Sequence, residues 1–505
     1  MSGWTGGAGH LDDRQRAGIR RALARWRQHR ELLEAHVLDS GMPVVDADGA
    51  GLGGPASASV WSAGTAPGLG AAPSSTADEV RAGAGAGRPA DRAMGLDVEL
   101  VDVEHLRPGR PGVLDVVAEM DGRLAHAVLS LRRPGDELHV VGAMEDPALG
   151  FVEDADGMAV VVDALHDADA ARLLLHAVAG AGIDRLPRRS GSTRQHPGEM
   201  VSLAWDGADA TVVGIDRRFS LSVFPWLRRG PHPGMTLLAG LDEAGFNHMA
   251  APVALWRRAG RDLGAVQEFL TGASGGWALA LASLRDLFAS RAAPDAAGGD
   301  FASEALALGT MAARMHLALD RAFGRRPGDP TAWAGEAELA GRSLPITDPV
   351  RGALEALWAS DVRPPAIRVH GDFHLGRTAR TDHGWVLADT MPGGADSASD
   401  EPVFRSPLSD VADFCASLGR AARTAVRERG AATASAALDE LAAAWEARNR
   451  QAFLAAYLAT PGIGGLVPAN RELVQHLLAC FELMAVARRP MPSATSVGGP
   501  AAAPG

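Results

Sequence analysis

The stretch IRVHGDFHLGRTARTDHGWVLADT, residues 367–390, decides the fold. Apolar residues lead into a His-Gly-Asp turn, and a second strand-like run, WVLAD, ends on Asp389. Asp372 and Asp389 thus follow two neighbouring strands, where both carboxylates can point into one cleft. In phosphoryl transfer, one such aspartate orients the acceptor hydroxyl and takes its proton, while the other holds Mg²⁺ against the nucleotide phosphates. Taken alone, the loop is also compatible with a structural turn.

On either side of this loop, β-rich runs come first and helical runs follow. The β-rich runs are separated by Gly, Pro and Asp turn signals, whereas later segments carry apolar residues every three to four positions. This order predicts an α+β protein with a β-rich N-lobe and a helical C-lobe, preceded by a small α+β cap domain. The predicted units are an N-terminal helical segment (1–40), a disordered Gly/Ala/Ser/Pro linker (41–94), the cap (95–195), the N-lobe (196–272), the C-lobe (273–490) and a disordered tail (491–505).

Residues 11–38 form the predicted helix that precedes the linker. Ile19, Leu23 and Trp26 recur at a helical period, with charged residues between them. The pattern is compatible with an interaction helix, and we predict a surface element.

The composition favours a cytoplasmic protein that binds small molecules. The formal net charge of −12 gives no reason to expect nucleic acid or a membrane as a partner. No secretory signal is recognised, and no apolar run reaches the length of about 18 residues that indicates a membrane span. Cys415 and Cys480 lie in apolar helical runs and are expected to be buried, reduced thiols. All 49 basic residues are arginines, which excludes lysine chemistry such as a phosphate-binding ammonium.

Four further segments accompany the loop. They are DALHDADAARLLL (163–175), AVQEFLTGASGGW (265–277), LGTMAARMHLAL (308–319) and SPLSDVADF (406–414). In this order, and with the loop as H-G-D-x-H-x-G, they resemble the actinobacterial maltokinases and their glucosamine-kinase relatives, distant cousins of the aminoglycoside phosphotransferases. The resemblance implies a protein-kinase-like two-lobed fold behind a maltokinase-type cap.

The resemblance implies roles for residues in and around the loop. It places Asp372 and His374 in the catalytic loop, with Asp372 as the hydroxyl-orienting base, and makes Asp389 a Mg²⁺ ligand. It also implies that His370 and His374 make hydrogen bonds within the loop, and that Asp410 supports it.

On the nucleotide side, the resemblance implies a smaller set. The backbone of Gln267, Glu268 and Phe269 would lie beside the adenine. Thr211 is the one residue that persists from the phosphate-covering turn of relatives.

Several positions depart from the family pattern. Ser222 aligns with the strand lysine that holds the nucleotide phosphates, and Thr236 falls where a helix glutamate would pair with that lysine. Arg377 replaces a glutamine that is a metal ligand in relatives, and a guanidinium there repels Mg²⁺. The segment after Asp389 also lacks a second acidic residue. Arginines could replace the lost phosphate contacts, and the candidates are Arg217, Arg218, Arg228 and Arg377.

Two hypotheses follow. The first is an ATP-dependent kinase of a sugar or amino sugar of the maltose or glucosamine type, with ATP and Mg²⁺ as cofactors and with phosphoryl transfer weakened or lost. The second is a pseudokinase, a catalytically inactive binding or regulatory module in trehalose, maltose or glycogen metabolism. The sequence does not distinguish between maltose and glucosamine as the sugar, and no protein partner is predicted.

Overall fold

The computed structural model describes residues 11–37, 98–142, 147–154, 157–180, 201–206, 210–228, 230–296, 300–388, 403–429 and 436–488. The predicted linker (41–94) and tail (491–505) lie outside these residues, as does Asp389. The predicted domain boundaries stay predictions, and the structure is compared with them below.

A six-stranded antiparallel sheet forms the centre of the cap. Its strands are β1 (Val98–Arg107), β2 (Gly112–Met120), β3 (Arg123–Arg132), β4 (Ala148–Asp154), β5 (Gly157–Asp163) and β9 (Trp226–Leu227). The order is β1-β2-β3-β5-β4, and β9 pairs with the first residues of β3. Because β9 falls within the range predicted for the N-lobe, that range contributes one strand to the cap sheet. The strand is too short to show a pattern in the sequence.

Two helices cover the cap sheet, α1 (Asp13–Val37) and α2 (Ala168–Ala179). The apolar stripe of α1, with Ile19, Leu23 and Trp26, is buried in one core cluster with the cap strands. Helix α1 lies against β4 so closely that a Cβ on Gly18 would come within 2.8 Å of Val152 Cγ2. The predicted surface element is therefore an integral part of the cap core.

The N-lobe is built on a five-stranded antiparallel sheet. Its strands are β6 (Val201–Asp206), β7 (Thr211–Ile215), β8 (Phe219–Val223), β10 (Pro252–Arg258) and β11 (Arg261–Glu268), in the order β10-β11-β8-β7-β6. Helix α3 (Pro233–Glu243) lies between β9 and β10 in the chain. It begins after His232, whose Nδ1 accepts the N–H of Gly234, and a proline occupies the first helical position.

The C-lobe holds the largest core cluster and most of the helices. These are α4 (Gly276–Ser290), α5 (Ala302–Phe323), α6 (Pro330–Ala340), α7 (Asp348–Trp358), α8 (Leu408–Glu428), α9 (Ala436–Ala459) and α10 (Arg471–Arg488). The C-lobe also contains two small three-stranded sheets. One contains β12 (Ser274–Gly275), β15 (Thr378–Thr381) and β16 (Gly384–Leu387), and the other contains β13 (Arg325–Pro327), β14 (Pro365–Arg368) and β17 (Phe404–Arg405).

This arrangement confirms the predicted α+β fold with two lobes behind a cap. The lobes meet near the loop between β14 and β15, where Arg368 Nη2 donates to the carbonyl of Pro233 at 2.7 Å. On the other side, the N–H of Leu387 donates to the carbonyl of His248, also at 2.7 Å. Among the described residues, no helix combines the length and apolar character needed to cross a membrane.

Candidate active site

The loop between β14 and β15 carries several of the predicted site residues. The side chain of Phe373 anchors this loop in the C-lobe core. Phe373 is fully buried and stacks on Phe414 of α8, with 5.5 Å between the ring centroids. Phe414 in turn stacks on Phe453 of α9 at 4.2 Å. Gly371 adopts a φ of +83°, a left-handed conformation that other residues adopt only with strain. These features fix the course of the chain on both sides of Asp372.

Asp410, in the first turn of α8, holds the loop through its backbone. Its Oδ2 accepts the N–H of His370 and its Oδ1 accepts the N–H of Gly371, each at 2.8 Å. Burial acts to raise the pKa of Asp410, but the hydrogen bonds from His316 and from the backbone outweigh it and lower the pKa below its usual value. These contacts support the loop role that the resemblance implied, which stays a prediction.

His316 of α5 and Tyr457 of α9 extend this arrangement into the C-lobe core. His316 Nε2 donates to Asp410 Oδ2 at 3.0 Å, so its Nδ1 is the acceptor for the Tyr457 hydroxyl at 2.8 Å. All three side chains are fully buried, and burial together with Asp410 raises the pKa of Tyr457 well above its usual value. A chain of hydrogen bonds therefore runs from α9 to the backbone next to Asp372.

Asp372, the predicted base, is engaged by Arg377. The Nε and Nη2 groups of Arg377 both donate to Asp372 Oδ2, at 3.2 and 3.0 Å. Each side chain is only 8% exposed. Hydrogen bonds between ionised groups are among the strongest in proteins, and this pair carries no net charge. The sequence predicted that Arg377 would repel Mg²⁺, and the structure adds that it binds the predicted base.

Both loop histidines make hydrogen bonds within the loop. His374 Nδ1 accepts the N–H of Gly376 at 3.0 Å, while its Nε2 lies 3.7 Å from Asp372 Oδ2. His370 Nδ1 accepts the N–H of Asp372 at 3.2 Å. One nitrogen of each ring thus serves the backbone, as the resemblance implied, and the catalytic role predicted for His374 stays a prediction.

The Mg²⁺ site predicted beside Asp372 stays a prediction, because the predicted ligand Asp389 lies outside the described residues. The N–H of Ala388 donates to the carbonyl of Arg377 at 2.8 Å, and the side chain of Arg377 binds Asp372. A guanidinium at this point opposes a dication by charge. Across the ranges that the structure describes, no three His, Cys, Asp or Glu side chains cluster so as to hold a metal ion.

On the N-lobe side of the cleft, the two positions predicted to have lost a charged pair carry hydroxyl groups. Ser222 of β8 is buried and lies opposite Val212 and Ala265 in the sheet. Thr236 of α3 donates its hydroxyl to the carbonyl of His232 in its own first turn, at 3.1 Å. Neither side chain can neutralise a phosphate.

Thr211 and Ser222 point to different faces of the N-lobe sheet. In the sheet, Thr211 lies opposite Val223, whereas Ser222 lies opposite Val212. The hydroxyl of Thr211 accepts a hydrogen bond from Arg30 of α1 at 2.9 Å, on the side of the cap. The nucleotide-side role of Thr211 stays a prediction.

Gln267, Glu268 and Phe269 form the end of β11 and the connection between the lobes. The backbone N–H groups of Glu268 and Phe269 donate to the carbonyls of Ala251 and Arg218, each at 2.9 Å, and the side chain of Gln267 donates to a further carbonyl at 3.1 Å. A small apolar cluster lies between this connection and β15–β16, and its members are Leu270, Ala273, Ala379, Val386 and Ala388. The adenine-side role of the connection stays a prediction.

The other candidate arginines lie away from Ser222. Arg217 and Arg218 occupy the turn between β7 and β8, and the guanidinium of Arg218 lies 5.0 Å from the ring centre of Phe219. Ser222 lies four positions after Arg218 along the strand, about 13 Å at roughly 3.3 Å per residue. Arg228 follows β9 near His232, whose pKa is lowered to about 4 by burial and by this arginine.

Comparison with known proteins agrees with the fold. No protein-family model matches the chain. A glucosamine kinase of Streptacidiphilus jiangxiensis is 33% identical over 214 residues, which are 38% of this chain and 48% of that protein. The glucosamine kinase of Mycolicibacterium smegmatis is 27% identical over 312 residues, covering 55% of this chain and 75% of that protein. The chain thus spans about half the length of the first relative.

A solved structure of a glucosamine kinase in complex with glucosamine, ADP and inorganic phosphate shares the fold. It superimposes with a TM-score of 0.53 at 21% identity and covers 78% of this chain and 88% of that chain. The chain is therefore similar to glucosamine kinases over part of its sequence and shares their fold. The narrower resemblance to maltokinases stays a prediction.

Two features of the site were not predicted from the sequence. They are the hydrogen bond between Tyr457 and His316, and the ion pair of Arg377 with Asp372. Tyr457 is the only tyrosine among 505 residues, and a lone tyrosine in an alanine-rich helix is a signal that could have identified it. The partner of Arg377 has no such signal, because it depends on how the loop folds back on itself.

Proposed function

We propose that the chain binds a nucleotide and an amino sugar of the glucosamine type in the cleft between its lobes, and that phosphoryl transfer between them is weak or lost. Glucosamine is preferred over maltose because both relatives described above are glucosamine kinases. The buried thiols of Cys415 and Cys480 favour a reducing compartment, so we expect this binding to occur in the cytoplasm.

The ion pair between Asp372 and Arg377 carries this proposal. A general base needs an oxygen that can accept the proton of the sugar hydroxyl. Two N–H groups of Arg377 donate to Asp372 Oδ2, so this oxygen can accept the hydroxyl proton only if Arg377 moves away, and the guanidinium stabilises the ionised carboxylate as a whole. The positions of the phosphate clamp hold Ser222 and Thr236, so the charge that phosphoryl transfer requires is missing as well.

The test is ADP release from ATP with glucosamine or maltose, for wild type and Arg377→Gln. We expect Arg377→Gln to release the base and to raise glucosamine-dependent turnover by about 10²-fold, the usual effect of one charge-positioning group. Asp372→Asn should abolish whatever turnover remains.

Arg380→Gln is the matched control, because Arg380 lies on the adjacent β15 and donates to the carbonyl of Thr381 at 2.6 Å. It should leave turnover unchanged. Fast turnover by the wild type that Arg377→Gln lowers would contradict the proposal.

A pseudokinase that acts as a binding or regulatory module in trehalose, maltose or glycogen metabolism is the second candidate. It is favoured by the loss of both members of the lysine and glutamate pair at Ser222 and Thr236. Titration with ADP and with glucosamine distinguishes the candidates. Binding of the sugar without any response to nucleotide would favour the module.

A further inference from the structure

Arg30 of α1 lies buried at the junction of the cap and the N-lobe. Its side chain is 4% exposed, and its Nη1 donates to Thr211 Oγ1 at 2.9 Å. Thr211 is the first residue of β7 and is 2% exposed. A helix of the cap therefore contacts an N-lobe strand 181 positions later in the chain.

Trp26, one turn before Arg30, fixes the same helix to the cap. Its Nε1 donates to Asp163 Oδ2 at 3.1 Å, and the other oxygen of Asp163 accepts the N–H of Leu165 at 2.9 Å. The guanidinium of Arg30 lies 5.7 Å from the ring centre of Trp26. Residues four apart share one helix face, so α1 holds β5 with one side chain and β7 with the next.

The three units enclose a small cavity at this point. It is lined by Trp26 and Arg30 from α1, by Asp163 and His126 from the cap, and by Thr211 from the N-lobe, together with apolar neighbours. The cavity volume of about 10 Å³ leaves space for roughly one water molecule. Polar groups buried in so small a volume depend on one another for their hydrogen bonds.

We propose that α1 is a clamp that fixes the start of β7 against the cap, with Arg30 as its positioning residue. Thr211 opens β7, and its neighbour Val212 lies opposite Ser222 in the sheet. Because Thr211 faces the cap, Arg30 positions the start of β7 from the face opposite Ser222. The effect on nucleotide rests on the proposed function, whereas the clamp itself does not.

The test is amide hydrogen exchange of the full-length protein over residues 201–223. Arg30→Met keeps the aliphatic stem but removes the donor, and we expect exchange at 211–215 to become at least about tenfold faster, because a buried hydroxyl loses its partner. Thr211→Val should have the same effect. The double variant should exchange no faster than either single variant, because the two substitutions remove the same Arg30–Thr211 hydrogen bond.

Two controls separate the contact from a general weakening of α1. Arg21→Met changes an exposed arginine of the same helix and should leave exchange over 201–223 unchanged. Arg30→Lys keeps a donor and should restore most of the protection. Unchanged exchange in Arg30→Met, or equal acceleration in Arg21→Met, would overturn the clamp.

A second readout connects the clamp to the cleft. We expect ADP to raise the melting temperature of wild type and Arg21→Met but to lose most of this effect in Arg30→Met. An equal ADP effect in all three proteins would overturn the role of Arg30 in positioning the start of β7 for nucleotide binding. If wild type itself does not respond to ADP, the proposed nucleotide function and this role both fail, while the exchange data still decide the clamp.

Discussion

The two sides of the cleft use their buried polar groups differently. On the C-lobe side, the Asp410 carboxylate accepts hydrogen bonds from His316 and from two backbone N–H groups of the loop between β14 and β15. On the N-lobe side, Ser222 and Thr236 carry uncharged hydroxyls, and the Thr236 hydroxyl donates within its own helix. The comparison teaches that a buried carboxylate which accepts several hydrogen bonds should contribute far more to stability than an isolated hydroxyl.

The largest effect is expected from the C-lobe side. Asp410→Ala leaves His316 and the N–H groups of His370 and Gly371 buried without their acceptor. We expect the free energy of unfolding to fall by about 3 to 5 kcal/mol, because three buried donors lose their acceptor at about 1 to 3 kcal/mol each. Urea denaturation measures it. Asp361→Ala, at an exposed carboxylate of the same lobe, is the control and should cost less than about 0.5 kcal/mol.

The pH dependence of stability should have opposite signs on the two sides. On the N-lobe side, burial and Arg228 lower the pKa of His232 to about 4, so the folded protein keeps the ring neutral. Between pH 6.5 and 4 the unfolded chain takes up the proton first, and the free energy of unfolding falls as pH falls, by up to about 1.4 kcal/mol per pH unit. His232→Asn keeps an acceptor for Gly234 and should remove this dependence.

On the C-lobe side, burial raises the pKa of Asp413 to about 7. The folded protein then holds a proton that the unfolded chain has released, so this contribution is present at pH 4 and is lost as pH rises to 7. Asp413→Asn should remove it. Urea denaturation at pH 4.5, 5.5 and 7 compares both variants with wild type. If the two substitutions changed the pH dependence in the same direction, the contrast between the sides would be wrong.

The smallest effect is expected at Ser222. Ser222→Ala removes one hydroxyl from β8 and should change the free energy of unfolding by less than about 1 kcal/mol. The measurement is the same denaturation series. A loss as large as that of Asp410→Ala would show that Ser222 belongs to a buried network essential for folding, and the comparison would lose its basis.

The turn between β14 and β15 could be predicted from the sequence because the residues that indicate it lie close together in the chain. The glycine at position 371, the strand-like runs on either side and the spacing to Asp410 all lie within about 45 residues, and the structure has Gly371 in the left-handed region with Asp410 on its N–H. The order of strands before helices similarly predicted two lobes and a cap.

What could not be predicted depends on contacts between distant segments. The helical period of α1 marked its apolar face but not the cap strands that cover it. The face of Thr211 depends on the pairing register of β7 with β8, where a shift by one residue would turn its hydroxyl to the cleft. The sequence suggested a phosphate contact for Arg377, and only the folded loop shows that its partner is Asp372.

The most direct test of the account is to rebuild the missing charges. The variant Ser222→Lys, Thr236→Glu, Arg377→Gln restores the family residues at all three positions, and Ser222→Met, Thr236→Gln, Arg377→Gln is its uncharged control. We predict glucosamine-dependent ADP release at least about 10⁴-fold faster in the rebuilt variant than in wild type, whereas the control should show only the gain of about 10²-fold expected from Arg377→Gln alone. Wild-type turnover on the order of 10 per second, unchanged or reduced in the rebuilt variant, would contradict the account.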